Sequence, residues 1–585
     1  MSYLPTDPAN FATDAIDGFA AAHPRHVRRI DGGVMRLAPI PGGQVGVVVG
    51  GGSGHYPAFA GLVGRGLAAG AVCGNIFASP SAGQVVRVGS AVERGAGLLL
   101  AFGNYAGDVL HFSLGAERLR RQGIDVRIVT VTDDIASAPI DQQELRRGIA
   151  GGLAVYKVAG AAAEAGLPLD EVERLARKAN GRTRSLGVAF SGCTLPGADQ
   201  PLFEVPSGRM AIGMGLHGEP GLSEGPLTDA GPLAALLVER LLAERPVDVP
   251  EDQQRLVVLL NGLGCFKYEE LFALFKAVSR ELQGRGVVMA DCECGELVTS
   301  LDMAGVSLSL FWLDGELEGF WNAAADSAAY RRGGFEGHPT AAEEADGQPS
   351  SISPAPPLDT PLPGPSLSLT QQALLARFDA VEATLAQRVE ELGALDAIAG
   401  DGDHGLGMLR GIRGARESAR RVCAIGGSTA EVLMEAGEAW SDHGGGTSGA
   451  LWGGALLAAG QSLAPFAAGG ATSLGASELA AAFEAALQAV IDLGQAAPGD
   501  KTMLDALQPF CLRLRADLQA GLDLEQALEN AAGTSLEAAN ATADLLPQRG
   551  RARPHGQRSL GHPDPGAMSL AYCLLAAIRG TQPAT

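Results

Sequence analysis

The sequence is poor in lysine, in aromatic residues and in basic charge. Five of its 44 basic residues are lysines, and aromatic side chains make up 5% of the chain. Acidic residues outnumber basic residues by 66 to 44, which gives a formal net charge of -22 and a pI near 4.9. Binding to a nucleic-acid backbone needs a basic surface, so nucleic acid is excluded as the main partner. The composition favours an enzyme that acts on small molecules.

Signals for membranes, secretion and metal-binding cysteines are also missing. No uninterrupted apolar stretch reaches 18 residues, and no charged segment followed by an apolar one stands at the start. These absences predict a cytoplasmic protein with no membrane partner. The eight cysteines are scattered, and the pair Cys292 and Cys294 has no second pair at the spacing of a zinc site. We expect reduced and mostly buried cysteines.

What is present is a long chain whose character changes twice. The 585 residues are 46% hydrophobic, which is enough for several buried cores. Residues 1–332 alternate short apolar runs with glycine turns and helical stretches, a pattern typical of α/β folds. Residues 333–367 are rich in Pro, Gly, Ser and acidic residues, which predicts a linker. Residues 368–581 show helical periodicity between glycine loops and predict an all-α bundle.

A glycine-rich loop follows the first buried strand. The strand over 44–49 runs into Gly50–Pro57, which contains Gly52, Ser53, Gly54 and His55. Pro57 suits the first position of a following helix. Consecutive glycines let backbone N–H groups approach an anion or a sugar, although the loop lacks the G-x-G-x-x-G spacing and the lysine of a P-loop. A tight turn needed only for packing is the alternative interpretation.

Polar residues follow two further strands at the point where each strand ends. The strand over 97–102 ends in Gly103, Asn104 and, further on, Asp108, and the strand over 126–131 ends in Asp133 and Asp134. Open α/β sheets bind ligands at the carboxyl ends of their strands. The sequence therefore predicts a ligand site at this edge.

His217 lies in a second turn that contains a histidine, after the glycine loop that contains His55. Another apolar strand ends in Gly215-Leu-His217-Gly-Glu219-Pro-Gly. A single histidine is more often structural than catalytic, but the glycine beside it leaves its ring accessible. The flanking glutamate can control which ring nitrogen carries the proton.

The C-terminal part contains a compact acidic loop. Asp396, Asp401 and Asp403 stand among glycines directly after a helical segment. Clustered carboxylates suit Mg²⁺, which proteins usually hold together with substrate phosphates, so phosphoryl transfer is the first reaction to consider. The spacing does not match an EF-hand. The alternative is that Asp401 and Asp403 only cap the next helix.

Three further glycine loops precede helices in this part of the chain. Helix N-termini attract anions, and each loop could contribute N–H groups or hydroxyls to a bound phosphate. The loops carry Thr447 and Ser448, then Lys501 and Met503, and finally Arg551 with Asp564, Pro565 and Gly566.

These motifs together resemble the dihydroxyacetone kinase family in its single-chain, ATP-dependent form, over nearly the whole chain. The similarity is carried by GGGSGH, NYAGDVL, GMGLHGEPG, DAIAGDGDHG, GGTSGALWG, APGDKTM and SLGHPDPGAMS. The resemblance implies a ketose-binding α/β part of two subdomains (1–332), the linker (333–367) and a helical-barrel ATP-binding domain (368–581). It also implies ATP and Mg²⁺ as cofactors and a homodimer.

The resemblance further implies a role for each motif residue. His217 would attack the ketone carbon and form a covalent hemiaminal, while His55 and Asp108 would contact the terminal hydroxyl and assist its deprotonation. The loop residues Gly52, Ser53 and Gly54 would line the substrate. The magnesium ligands would be Asp396, Asp401 and Asp403. The nucleotide contacts would be His404, Gly405, Leu406, Gly407, Thr447, Ser448, Gly494, Met503, Arg551, Asp564, Pro565 and Gly566.

The chain departs from the family pattern at the sugar site. Family members that use dihydroxyacetone typically have Glu and His where this chain has Tyr56 and Phe59, and Lys where it has Gly103. We expect a more apolar and more open site, which makes a four-carbon ketose such as erythrulose a candidate beside the triose, with stereochemistry left open. Two other functions stay open as alternatives: a phosphorelay-dependent kinase and a non-catalytic ketose sensor.

Overall fold

The computed structural model describes residues 8, 10–198, 200–219, 221–250, 254–335, 369–400, 402–468, 475–548 and 556–580. The chain forms two compact units, residues 1–335 and residues 336–585. Most of the predicted linker lies outside the described residues. Among the residues that are described, no helix is long and apolar enough to cross a membrane.

The first unit contains two six-stranded sheets and one small three-stranded sheet. The first sheet has the strand order β1-β2-β5-β3-β6-β7, and the second has the order β10-β9-β8-β13-β11-β12. The third has the order β15-β14-β4. The strands are β1 (Val27–Ile30), β2 (Gly33–Arg36), β3 (Gly46–Ser53), β4 (Gly64–Arg65), β5 (Gly70–Ile76), β6 (Leu98–Gly103), β7 (Val126–Val131), β8 (Thr183–Ala189), β9 (Arg209–Ile212), β10 (Ser223–Pro226), β11 (Arg255–Gly262), β12 (Val288–Gly295), β13 (Gly305–Trp312), β14 (Ala325–Ser327) and β15 (Arg331–Arg332).

In the part of the first unit that the structure describes, eight α-helices accompany these sheets. They are α1 (Phe11–Ala22), α2 (Ala82–Val92), α3 (Ala106–Arg121), α4 (Gly152–Glu164), α5 (Leu169–Gly181), α6 (Ala230–Ala243), α7 (Tyr268–Gly284) and α8 (Gly315–Asn322). Successive residues of β3 and β6 alternate between two cores, so that Val47 and Leu99 lie in one and Val48 and Leu98 in the other. Burial on both faces explains why these strands are uninterrupted apolar runs.

The topology of the first sheet brings the predicted ligand loops together. Strands β5, β3, β6 and β7 are parallel, and β3 lies between β5 and β6. The chain leaves β3 and reaches β5 on one side of it, and the connection after β5 then leads to β6 on the other side of β3. Ligands bind at the carboxyl ends of strands at such a reversal. The glycine loop, Asp108 and Asp133 all follow strands at this edge.

The described residues of the second unit form helices and connecting loops, with no strand. Its helices are α9 (Leu369–Gln387), α10 (Val389–Asp396), α11 (His404–Ala424), α12 (Thr429–Gly444), α13 (Gly446–Ala468), α14 (Ala476–Gly494), α15 (Leu504–Gln519), α16 (Leu524–Ala541), α17 (Gly556–Ser559) and α18 (Pro565–Arg579). Eight of them pack in a closed ring in the order α9, α11, α12, α13, α14, α15, α16 and α18, with α18 returning to α9. The predicted fold class, an α/β part followed by a helical barrel, is confirmed.

Two local predictions were wrong. Pro57 does not begin an α-helix, because the chain forms only a single 3₁₀ turn at Ala60–Leu62. The amphipathic segment before the acidic loop is not one helix, since Arg388 has non-helical backbone angles and separates α9 from α10. The break lets the Arg388 guanidinium stack on the ring of Tyr572, 3.9 Å from its centroid.

Candidate active site

Two histidines face each other in the first unit. His55, from the loop after β3, and His217, from the turn after β9, have their Nε2 atoms 3.1 Å apart. Both side chains are more than nine-tenths buried. The sequence predicted each as a site residue, and the fold brings them into contact across 162 positions.

Neighbouring groups fix which nitrogen of each ring carries a proton. His55 Nδ1 lies 2.8 Å from the carbonyl oxygen of Thr299, which can only accept, so this nitrogen carries the hydrogen. His217 Nδ1 lies 2.9 Å from Glu219 Oε1. Burial alone would raise the pKa of Glu219, but His217 and Arg147 hold that pKa well below its ordinary value. The carboxylate is therefore ionised and accepts the Nδ1 hydrogen of His217.

Both Nε2 atoms consequently present lone pairs when the rings are neutral. Burial, followed by the proximity of His217, lowers the pKa of His55 to about 3, so His55 is neutral over the physiological range. A neutral imidazole with its Nδ1 hydrogen engaged has a nucleophilic Nε2. One such atom can attack a carbonyl carbon while the other accepts a proton from a hydroxyl.

Two aromatic rings enclose the histidine pair. Phe77 stacks on His55 and meets the ring of His217 edge-on, with centroids 4.9 Å apart in both cases. Tyr105 meets His217 edge-on at 5.1 Å, and its hydroxyl donates to the carbonyl of Gly148. The rings place apolar surface beside the two histidines, which strengthens polar interactions there.

The glycine loop allows Phe77 to reach this position. Gly54 has a φ of +101°, and a Cβ atom there would lie 2.9 Å from the Phe77 ring. A Cβ atom at Gly52 would meet the backbone of residues 77 and 78 at 2.9 Å. The Ser53 hydroxyl donates to the Gly74 carbonyl at 2.6 Å, so its proton is used to join β3 to β5. Asp108 lies in the first turn of α3, where its side chain is buried.

The three departures from the family pattern lie in different surroundings. Tyr56 is 47% exposed, whereas Phe59 packs inward beside Gly51 and Tyr156. The expected open space at Gly103 is absent, because a Cβ atom there would lie 3.0 Å from the ring of Tyr105. Gly103 thus makes room for an aromatic wall beside His217, rather than for a larger cavity.

The sequence did not identify three residues that support the histidines. Thr299 lies 244 positions from His55, and Arg147 lies 72 positions before Glu219. Asp134 was noticed only as a polar residue at a strand end, yet it accepts two hydrogen bonds from Arg147. No local motif marks Arg147, because only its contacts distinguish it from the neighbouring Arg146.

In the second unit, the acidic loop is described on both sides of Asp401, which lies outside the described residues. Asp403 precedes α11, but its side chain does not cap that helix. Asp564 caps α18 by accepting from the amide of Ala567 at 2.7 Å. Burial, then the charges of Asp396 and Asp505, raises the pKa of Asp564 to about 7. The described residues contain no group of three potential metal ligands.

Two carboxylates of this unit lie close enough to interact. The charge of Asp396 is close enough to Asp564 to oppose the ionisation of Asp564 and to raise its pKa. A cation between hard oxygen donors would relieve that repulsion. Asp396 and Asp403, with Asp401, stay the predicted ligands.

His404, at the start of α11, is turned inward. Its Nε2 lies 2.9 Å from the Ser569 hydroxyl, and its Nδ1 lies 3.4 Å from the Ser448 hydroxyl. Burial lowers the pKa of His404 to about 4. The ring therefore links α11 to α13 and α18, while Leu406, two residues later, is 46% exposed.

The remaining predicted nucleotide contacts cluster only in part. Gly407 lies against the carbonyl of Gly444, at the entry to the turn that carries Thr447 and Ser448. Gly566 lies beside Met503. Gly405 packs on the Val389 carbonyl of α10, and Gly494 packs near Leu451. Pro565 is the first residue of α18, and Arg551 lies outside the described residues.

Lys501 has a structural role that its sequence position did not predict. Its ammonium group donates to the carbonyl oxygens of Leu545 and Ser559, at 3.1 and 2.7 Å. Two of its three donors therefore hold backbone carbonyls together.

Comparison with known proteins identifies the family. A model of the Dak1 domain matches residues 17–329, and a model of the DAK2 domain matches residues 398–579. The chain belongs to the dihydroxyacetone kinase family. Members of this family include an L-erythrulose kinase of Pectobacterium atrosepticum, which is 49% identical to this chain over 98% of its length and 95% of the relative. A D-erythrulose kinase of Mycolicibacterium smegmatis is 50% identical, over 98% of this chain and 97% of the relative.

A solved dihydroxyacetone kinase extends this likeness to the fold. The C. freundii enzyme, crystallised with AMP-PNP and Mg²⁺, is 31% identical to this chain and has a TM-score of 0.51. The alignment covers 98% of this chain and 99% of that enzyme. This dihydroxyacetone kinase family member is therefore a phosphotransferase with an alcohol group as acceptor, and the family uses ATP with Mg²⁺.

Proposed function

We propose that the protein is an ATP-dependent ketose kinase that phosphorylates a terminal hydroxyl of erythrulose while the ketose is bound covalently to His217. The observation that carries the proposal is the pair of facing Nε2 atoms, with each opposite ring nitrogen committed to a fixed acceptor. The relatives at 49% and 50% identity, named as kinases of L- and D-erythrulose, support a four-carbon substrate.

The geometry supplies both halves of the ketose chemistry. The lone pair of His217 Nε2 forms a bond to the carbonyl carbon as the C=O π bond breaks, and the carbonyl oxygen takes up a proton from solvent. The positive charge left on the imidazole faces the Glu219 carboxylate, 2.9 Å away. A polyol such as glycerol has no carbonyl to trap and is rejected for that reason.

Deprotonation of the accepting hydroxyl falls to His55 and Asp108. His55 Nε2 has a lone pair when the ring is neutral, and its low pKa keeps it in that form. Asp108 is buried at the carboxyl end of β6 in the same edge of the sheet. One of these two groups would accept the single proton of the hydroxyl that takes the phosphoryl group, and the other would assist by hydrogen bonding.

The second unit would hold the nucleotide. Asp396, Asp401 and Asp403 would hold Mg²⁺, which neutralises charge on the transferring phosphoryl group when bound. Thr447 and Ser448, in the first turn of α13, would donate to phosphate oxygens, as helix N-termini commonly do. The Ser448 hydroxyl also lies 3.4 Å from His404 Nδ1.

Turnover with ATP and a panel of acceptors tests the proposal. We expect phosphorylation of one or both erythrulose enantiomers, weaker use of dihydroxyacetone and glyceraldehyde, and none of glycerol. A higher kcat/KM for dihydroxyacetone than for both erythruloses would contradict the four-carbon assignment. Absence of turnover with ATP would favour the phosphorelay kinase or the ketose sensor.

A further inference from the structure

Three charged side chains connect the end of β7 to His217. Glu219 accepts from both the backbone N–H of His217, at 3.0 Å, and from its Nδ1, at 2.9 Å. Arg147 Nη1 lies 3.7 Å from Glu219 Oε2. The other side of the guanidinium binds Asp134 Oδ2 through Nη2 at 2.9 Å and through Nε at 3.2 Å. The three side chains are each at most 18% exposed.

The turn that carries His217 is built around this arrangement. A Cβ atom at Gly215 would lie 2.1 Å from Glu219 Oε2 and 2.6 Å from Arg147 Nη1. Any side chain at this position would therefore displace one of the two charged groups. Arg147 also approaches the carbonyl of Gly213 at 3.5 Å, so it contacts the turn at two places.

We propose that Arg147, anchored by Asp134, is a positioning residue that fixes Glu219 and thereby sets the orientation and the proton position of His217. The inference rests on the proposed role of His217 as the covalent anchor. Both oxygens of Glu219 accept from His217, Oε1 from Nδ1 and Oε2 from the backbone N–H, so the carboxylate and the ring that it orients form one unit. Arg147 ties this unit to Asp134 and so to the rest of the sheet. Arg147 fixes Oε2, so that Oε1 stays in line with His217 Nδ1. Nε2 then points at the ketose.

The neighbouring Arg146 provides a matched control. It is also buried and also binds a carboxylate, with Nη1 and Nη2 each 3.0 Å from the oxygens of Glu244. Its guanidinium has no contact with Glu219. Arg146→Met therefore removes an equivalent buried ion pair without disturbing the support of His217.

The test compares Arg147→Met, Arg147→Lys and Arg146→Met in the full-length protein, with the thermal midpoint of each variant recorded. Misplacement of a reacting group costs rate and affinity steeply, so we expect Arg147→Met to raise KM for erythrulose about tenfold or more, with a smaller change in kcat. Arg147→Lys should recover part of the loss. The folded Arg146→Met protein should keep the wild-type KM.

A double-mutant cycle separates positioning from general stability. If Arg147 acts through Glu219, Arg147→Met should add little to the KM of a Glu219→Gln protein. Additive effects, or equal KM changes in the Arg147 and Arg146 variants, would overturn the inference. Where Arg147→Met does not fold, Asp134→Asn carries the same comparison, because it preserves shape and weakens only the anchor of Arg147.

Detection of a covalent complex with erythrulose, in wild type and in Arg147→Met, distinguishes this inference from the proposed function. A wild-type protein that forms no covalent complex with erythrulose would remove the anchor role of His217 itself. A covalent complex that forms equally in wild type and in Arg147→Met would leave the anchor intact and would overturn only the role of Arg147.

Discussion

At the scale of single residues, the chemistry depends on what lies behind each histidine. Thr299 and Glu219 hold the Nδ1 hydrogens, and this leaves the Nε2 atoms of His55 and His217 for substrate. Each supporting contact is a single, short hydrogen bond from a different strand connection. Small changes behind the rings should therefore alter ketose selection without unfolding the protein.

Replacement of His217 tests whether it is an anchor or a structural residue. We expect His217→Ala to fold, to bind erythrulose much more weakly, and to lose its discrimination against glycerol, because selectivity comes from a bond that only a carbonyl can make. Steady-state kinetics with both acceptors and a thermal melt provide the readouts. His26→Ala, which removes a histidine paired with Asp326, is the control. Lower stability with unchanged selectivity would make His217 structural.

Gly103 offers a second test at the same scale. A side chain there would push against Tyr105, whose ring forms a wall beside His217. We expect Gly103→Ala to lower the ratio of kcat/KM for erythrulose over dihydroxyacetone by roughly tenfold, the size of effect that one methylene group has in a pocket. Gly103→Lys should lower it further. Gly181→Ala, where added atoms meet nothing within 4 Å, should leave the ratio unchanged.

At the scale of elements, the acidic loop differs from an ordinary helix cap. Asp523 accepts from the amide of Gln526 and caps α16, whereas Asp403 precedes α11 without a side-chain cap. This contrast disfavours the alternative that Asp403 serves only to begin a helix.

We therefore expect opposite effects when Asp403 and Asp523 are replaced. Asp403→Ala should reduce turnover by orders of magnitude and weaken Mg²⁺ binding, because a ligand of a hard cation is lost. The stability of the protein should change little. Asp523→Ala should lower the free energy of unfolding by about 1 kcal/mol and leave turnover intact. Titration of activity with Mg²⁺ and urea unfolding of both variants check the prediction. A near-normal rate in Asp403→Ala would remove this residue from the magnesium site.

Much of the element pattern could be predicted because it depends on local sequence. The strand over 126–131 matches β7, and the strand predicted over 97–102 differs from β6 by one residue at each end. Local sequence did not reveal the break at Arg388, where the guanidinium stacks on the ring of Tyr572, almost 200 positions away. Pro57 was misleading because the chain after it forms only the 3₁₀ turn at Ala60–Leu62 and no α-helix.

At the scale of the molecule, the site in the first unit draws on both six-stranded sheets. His55 and Asp134 follow strands of one sheet, while His217 and Thr299 follow strands of the other. Motifs predicted the two histidines, because glycine turns mark them. Arg147 and Thr299 could not be predicted, since their roles exist only after distant segments meet. The homodimer stays a prediction.

The loss of stability in acid should depend on His404, which is buried in the helical unit. The pKa of His404 is about 4 in the folded protein and near 6.5 when unfolded, so the unfolded state takes up a proton first as the pH falls. This difference between the two pKa values should lower the free energy of unfolding by about 2 kcal/mol when the pH falls from 7 to 5. Asp564 has a raised pKa and acts in the opposite direction, so the comparison needs a variant.

His404→Asn removes the titrating group from that balance. We expect the variant to be less stable than wild type at pH 7 but to lose less stability on acidification. The readout is the urea midpoint, at pH 7 and pH 5, of the transition that the substitution shifts. Parallel losses in the two proteins would show that His404 does not contribute to the acid sensitivity.

The central claim is that a ketose is held by a covalent bond to His217. A crystal of the wild-type protein soaked with erythrulose tests it most directly. The account predicts continuous electron density from Nε2 of His217 to a tetrahedral substrate carbon, with the terminal hydroxyl near His55 and Asp108. A planar, unbonded ketose at full occupancy, or a fully occupied ketose elsewhere, would contradict it.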